Sequence, residues 1–143
     1  MDATDRKILE ILQTEGRISM KELGKRVSLT SPAVSERVKR LEENKVITGY
    51  KAIVDPLKLG LTVKVIIHVG LNVSAHKAFL KLATEHEAII ECHHVTGNDC
   101  MTITALLHNT PDLERLLDKI QAIGSTRTEI VLSTPLANKP ILP

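Results

Sequence analysis

Residues 19–47, SMKELGKRVSLTSPAVSERVKRLEENKVI, constrain this chain more than any other stretch. Ser19 followed by Glu22 is an S-x-x-E capping box, which starts a helix at Met20. Leu23 and Val27, four apart, give that helix one apolar stripe. A second helix begins at Thr30 or Ser31. Either hydroxyl can cap it, and Pro32 suits a first turn, where its missing N–H costs nothing. Val34, Val38 and Leu41 fall at i, i+4 and i+7, a buried stripe. At about 100° per residue the opposite face carries Pro32, Ser35, Glu36, Lys39 and Glu43, with Arg37 and Arg40 on its flanks. Two short helices about a tight turn, the second with a polar, basic outer face, are the layout that places a helix in the DNA major groove.

The neighbouring segments complete a small domain. A helix over residues 4–14 presents Ile8, Ile11 and Leu12, so three helices each offer one stripe to a shared core. Val46 and Ile47 close that core, and residues 50–54 have the pattern of a short strand in the position of a wing. Residues 1–58 hold 12 Lys and Arg against 9 Asp and Glu, a net of +3, whereas residues 59–143 hold 7 against 8, a net of −1. The basic excess therefore sits with the helices. It is small for a DNA binder acting alone, and an assembly of copies would multiply it. Tyr50 and Phe79 are the only aromatic residues, too few for the stacking platforms that single-stranded nucleic acids require.

After residue 54 the pattern changes. Asp55-Pro56 and Gly60 punctuate residues 55–60 as a linker. Leu61, Val63, Val65, Ile67, Val69, Leu71 and Val73 then alternate strictly, which predicts a strand with one face on a core. Residues 75–86 revert to helical spacing, with Phe79, Leu82 and Ala83 inward. Residues 89–96 and 99–107 read as two strands about a tight Gly97-Asn98 turn. Pro111 and Asp112 open another helix, with Leu113, Leu116, Leu117 and Ile120 inward and Gly124 at its end, and residues 126–134 form a last strand. The order β-α-β-β-α-β is the ferredoxin-like split βαβ arrangement. The chain is thus expected to be α+β: a winged helix-turn-helix domain over 1–54, a linker over 55–60, and a ferredoxin-like domain with an antiparallel sheet over 61–143. Both helices of the second domain lie on one sheet face. The other face carries Lys64, Ile66, His68 and Gly70 beside Cys100, Thr102, Thr104 and Leu106, and a second copy of the sheet is the simplest cover for it.

Other classes of function find little support. There is no G-x-S-x-G, P-loop or H-E-x-x-H, and no nucleophile beside an evident base, so no catalytic residue and no cofactor is expected. Alternation puts Cys92 and His94 on one face and His93 on the other, so with Cys100 they do not converge on a metal. Two cysteines need not pair, and a reducing cytoplasm fits them. The charged N-terminus lacks a signal-peptide core, and no apolar run approaches the roughly 20 residues of a membrane span.

These features together resemble the Lrp/AsnC, or feast/famine, transcription regulators. In the first domain the resemblance rests on DRKILEILQTEGRISMKELGKRVSLTSPAVSERVKRLEENKVITGY, and in the second on the split βαβ order and CHHVTGNDCMTITA. It implies a cytoplasmic regulator that binds duplex DNA through Thr30, Ser31, Pro32, Ala33, Ser35, Glu36, Arg37, Lys39 and Arg40. It implies dimers through the C-terminal sheet, often gathered into octamers of four dimers, and a small effector, commonly an amino acid, between dimers. The matching effector loop is Val95-Thr96-Gly97-Asn98-Asp99 with the strand after it, which brings in Thr102 and Thr104. Gly97 can take a positive φ and turn backbone amides toward a carboxylate, and Asp99 can receive an ammonium. The same Gly97-Asn98-Asp99 run also fits plain turn chemistry. The loop departs from the commoner pattern of the family, which has one more residue before the Asp and an aromatic soon after it; here Cys100-Met101 follow at once. Sirohaem decarboxylases share the two-domain architecture and use histidines, so an enzyme is the alternative reading; the basic face at Arg37, Lys39 and Arg40 opposes it.

Overall fold

A computed structural model describes residues 1–141, which fall into two compact units. The first comprises Met1–Ile53 with the segment from Leu136 onward, and the second is Val54–Pro135.

Three helices build the first unit: α1 (Ala3–Thr14), α2 (Met20–Arg26) and α3 (Ser31–Glu43). The Ser19 hydroxyl accepts from the Glu22 N–H at 3.2 Å and starts α2. Thr30 rather than Ser31 caps α3, accepting from Ala33 N–H at 3.3 Å. Ile8, Ile11, Leu12, Leu23, Val34, Val38 and Leu41 form the buried core, each helix giving the face its spacing predicts. Between α2 and α3 the chain doubles back so tightly that a Cβ on Gly24 would stand 2.7 Å from the Leu29 carbonyl oxygen. That oxygen-to-backbone approach admits only glycine.

Three expectations for this unit need correction. Ile47 packs on the core, but Val46 is exposed. Residues 50–54 form no strand. They have the side-chain pattern of one but no partner backbone, and Tyr50 instead donates its hydroxyl to Glu42 Oε1 at 2.8 Å. The third concerns the tail, which was expected to end the second domain. From Leu136 it belongs with the helices, where the Gln13 amide accepts from Ile141 N–H at 2.8 Å and donates to its carbonyl at 3.0 Å.

In the second unit Asp55 caps a short 3-10 turn, Pro56–Leu59, which Gly60 ends at φ 77°. Four strands and two helices follow: β1 (Val63–Gly70), α4 (His76–Glu85), β2 (Ile89–His94), β3 (Met101–Leu107), α5 (Thr110–Gln121) and β4 (Ser125–Ile130). All neighbours pair antiparallel in the order β2-β3-β1-β4. Val65, Ile67 and Val69 of β1 and Met101, Ile103, Ala105 and Leu107 of β3 point into one core with Phe79 and Ala83 of α4 and Leu113, Leu116 and Ile120 of α5.

Strand ends follow the partners rather than the pattern. β1 stops at Gly70, where its register with β4 ends at Ser125, and Val73 lies in a 3-10 turn at 92% exposure. β4 stops at Ile130 instead of 134, because after Val131 donates to the Lys64 carbonyl there is little β1 left to pair with. The β2–β3 connection is no tight turn. It spans residues 95–100 and is closed by Val95 N–H on the Cys100 carbonyl at 3.0 Å. α5 starts at Thr110, one residue before Pro111, with Asn109 as its cap.

Candidate nucleic-acid interface and ligand site

Burying Val34, Val38 and Leu41 turns Pro32, Ala33, Glu36, Lys39 and Arg40 of α3 to solvent, with Thr30 exposed at its start. The Thr30 hydroxyl is engaged as the cap, and Ser35, half-buried, donates its hydroxyl to the Ser31 carbonyl at 2.8 Å. Lys39 lies 3.7 Å from Glu43 on the open surface. A convex helix of this kind fits a major groove about 12 Å wide.

Arg37 is placed differently. Its Nη1 donates to Asp2 Oδ2 at 2.7 Å and to Asp5 Oδ1 at 2.8 Å, and its side chain is 27% exposed. Those two carboxylates form a reciprocal capping box at the start of α1: Asp5 N–H donates to Asp2 Oδ1 at 2.8 Å, and Asp2 N–H donates to Asp5 Oδ2 at 3.1 Å. Arg40 Nη2 stands 3.8 Å from Asp5 Oδ2. Asp5 is the only buried charged residue among the described residues. Burial resists its ionisation, but the hydrogen bonds from Arg37 and from Asp2 N–H outweigh it and hold the carboxyl below its usual range. The Asp5 backbone N–H, then Arg37, bring the Asp2 carboxyl down to about 2. Arg37 thus ties the outward helix to α1. The sequence held the residues of this tie but not their meeting, since Arg37 and Asp5 are 32 positions apart.

The open sheet face gathers a second polar group. Gly97 has φ 121°, and nothing lies within 4 Å of where its Cβ would be. Asp99 Oδ2 stands 3.6 Å from Arg127 Nη2, and Arg127 also pairs with Glu129. Glu129 Oε2 lies 3.7 Å from His68 Nε2, and His68 Nδ1 lies 3.2 Å from Thr102 Oγ1. A polar chain therefore runs from the loop through β4 and β1 to β3. Thr104 shares this face opposite Ile66, one pair further along β3. Sequence reading missed His68, Arg127 and Glu129 as neighbours of Asp99, because the pairs His68↔Arg127 and Ile66↔Glu129 follow from β4 lying beside β1.

The cysteines and histidines are scattered. Cys92 packs against the core, where burial pushes its thiol up, and His94 meets the His76 ring edge-on at 5.6 Å. His93 is paired with Thr102, while the Cys100 thiol points at the Val69 carbonyl, 3.6 Å away.

Comparison with known proteins decides between the readings of this architecture. The family model for the AsnC-type helix-turn-helix domain matches residues 1–42, and that for the Lrp/AsnC ligand binding domain matches residues 64–141. The chain belongs to the Lrp/AsnC family. It is 31% identical to the HTH-type transcriptional regulator LrpB of Bacillus subtilis, over 87% of this chain and 84% of that one. It is 34% identical to the leucine-responsive regulatory protein of Escherichia coli, over 92% and 85%. A transcriptional regulator of Neisseria meningitidis solved with L-methionine has the same fold, with a TM-score of 0.93 at 24% identity over 99% of this chain and 96% of that one. This Lrp/AsnC chain is a DNA-binding transcriptional regulator and not an enzyme; the decarboxylase alternative is set aside by its regulator relatives.

Proposed function

We infer that this regulator reads duplex DNA with the outer face of α3, through Pro32, Ala33, Glu36, Lys39 and Arg40, while Arg37 holds that face in place. The observation that carries this reading is the double hydrogen bond of Arg37 to Asp2 and Asp5, which fixes the helix and leaves Lys39 and Arg40 turned outward. The start of the helix, Thr30 and Ser31 with the half-buried Ser35, lies against the phosphate backbone. The partner is chromosomal DNA in the cytoplasm. Two copies meet through the open sheet face and gather further into octamers, which multiplies the small positive charge of each helical unit.

The effector is an amino acid. Backbone amides of the Gly97-Asn98 loop receive its carboxylate and Asp99 its ammonium, with Thr102 and Thr104 alongside. The L-methionine bound to the Neisseria regulator supports an amino acid as the class. An effector favouring one assembly must shift the population toward it, which couples the ligand to DNA affinity. A gel shift with the regulator's own promoter region, repeated with each of the twenty amino acids, tests both halves. A specific shift that one amino acid alters is expected. No shift at low salt would reject the α3 reading; a shift that no amino acid changes would reject the effector.

A further inference from the structure

At the other end of β3 from Gly97, on the order of 20 Å along the strand, the second unit has a cleft of about 530 Å³. Leu61, Ile90 and Leu106 line it with apolar surface, His86, Arg115 and Lys119 with basic groups, and Glu87 and Asp112 with carboxylates. Ile90 sits there because the β2–β3 register shifts between Ile89 and Glu91. That bulge re-aims a side chain that strict alternation would have sent elsewhere, and leaves it 51% exposed. A bulge that turns an isoleucine outward into a hollow is unfavourable unless something apolar covers it.

The polar rim is oriented as well. His86 Nδ1 accepts from the Ala88 N–H at 3.3 Å, so its proton is on Nε2 and is offered as a donor. Asp112 pairs with Arg115, while Lys119 has no carboxylate within ion-pair distance among the described residues. Burial, then the Lys119 charge, hold the His86 imidazole below its usual range, against a smaller opposite pull from Glu87. Of the Lys and Arg side chains that line the cleft, Lys119 is thus the one left to take an anion, and its charge already acts on His86.

We propose that this cleft is a second small-molecule site, which takes an organic monoanion with a short aliphatic chain. The carboxylate lies on Lys119, Arg115 and the His86 Nε2–H, and the chain lies on Leu61 and Ile90. It is separate from the Asp99 end and does not depend on an amino acid binding there.

Hexanoate is the probe, with hexan-1-ol and hexylammonium as the neutral and cationic counterparts, titrated into the full-length regulator by calorimetry and by histidine ring NMR. Hexanoate should bind saturably, move the His86 ring resonances and shift its titration upward, because the anion offsets Lys119. The paired change Arg115→Glu and Lys119→Glu alters exposed positions and should weaken binding at least about tenfold. The paired change Lys77→Glu and Lys81→Glu, an equal charge reversal on exposed positions of α4 outside the cleft, should leave it intact. No saturable heat at about 10 mM would overturn the site. So would hexanol binding as tightly as hexanoate, a His86 ring that does not respond, or equal binding by the Arg115→Glu, Lys119→Glu variant. A cleft filled by a neighbouring copy in the assembly gives the first of these results.

Discussion

Arg37 and Arg127 each stand between two carboxylates, and their surroundings make them different objects. Arg37 is 27% exposed and reaches Asp5, itself 5% exposed, at 2.8 Å. Arg127 is 59% exposed and reaches Asp99, 32% exposed, at 3.6 Å. An ion pair in water contributes little, since solvent competes for both charges. A carboxylate shut away from water loses that alternative, so removing its cation leaves an unpaired buried charge. The first cluster is therefore a tie between helices. The second is a set of charges that can exchange partners, which supports the effector site proposed there. The same residue types make a fixed tie in one place and an open, exchangeable set of charges in the other, and access to water decides which.

The largest effect expected from this contrast is on stability. Asp5→Ala removes a capping carboxylate and the acceptor for Arg37, and should lower the unfolding free energy by about 1–3 kcal/mol in urea. Asp99→Ala should stay within about 0.5 kcal/mol. Equal losses would erase the distinction. On DNA affinity the order reverses around α3: Lys39→Ala with Arg40→Ala should bind promoter DNA about tenfold more weakly by fluorescence anisotropy, with the urea midpoint unmoved. If only Arg37→Ala weakens binding, and does so while remaining fully folded, then Arg37 is a reader and the tie is incidental.

A smaller effect is expected at the sheet end. The amino acid that alters the gel shift should change DNA affinity about fivefold, near the lower end of ordinary couplings. Asp99→Ala should abolish that change and leave ligand-free binding as it was. Should Asp99→Ala respond like the parent protein, the ammonium is held elsewhere, and Glu129 and His68 become the groups to test.

The two regions were also unequally readable in the sequence. The helical unit announces itself through local chemistry: Ser19, Thr30 and Pro32 mark helix starts, and the stripes at 34, 38 and 41 mark the buried face. The alternation of β1 likewise fixes which of its side chains reach the core. What could not be read depends on parts of the chain distant from one another. Arg37 meets Asp5 only when α1 and α3 are docked, and Arg127 meets Asp99 only when β4 is set beside β1. The limits of β1 and β4 are set by how far their partners run, and the strand pattern at 50–54 had no partner at all. The bulge at Ile90 follows from fitting β2 to β3, and nothing in the local residues marks it.

The smallest effect is a pH dependence confined to the helical unit. The Asp2 carboxyl titrates near about 2 in the folded chain against 3.8 ordinarily. Above 3.8 the residue is ionised in both states and its contribution to stability is complete. Between 3.8 and about 2 the unfolded chain holds the proton more often than the folded one, so stability falls as pH falls through that window. Asp5, also lowered, acts in the same direction. Asp2→Asn keeps an oxygen to accept the Asp5 N–H but has no charge to titrate. Its thermal midpoint should start slightly below that of the parent protein at pH 5 and converge on it toward pH 2.5. The gap is small because Asp2 is itself half exposed, and solvent screens its pairing with Arg37. Parallel curves for Asp2→Asn would mean that the exposed half of the tie contributes nothing, and that buried Asp5 alone holds Arg37.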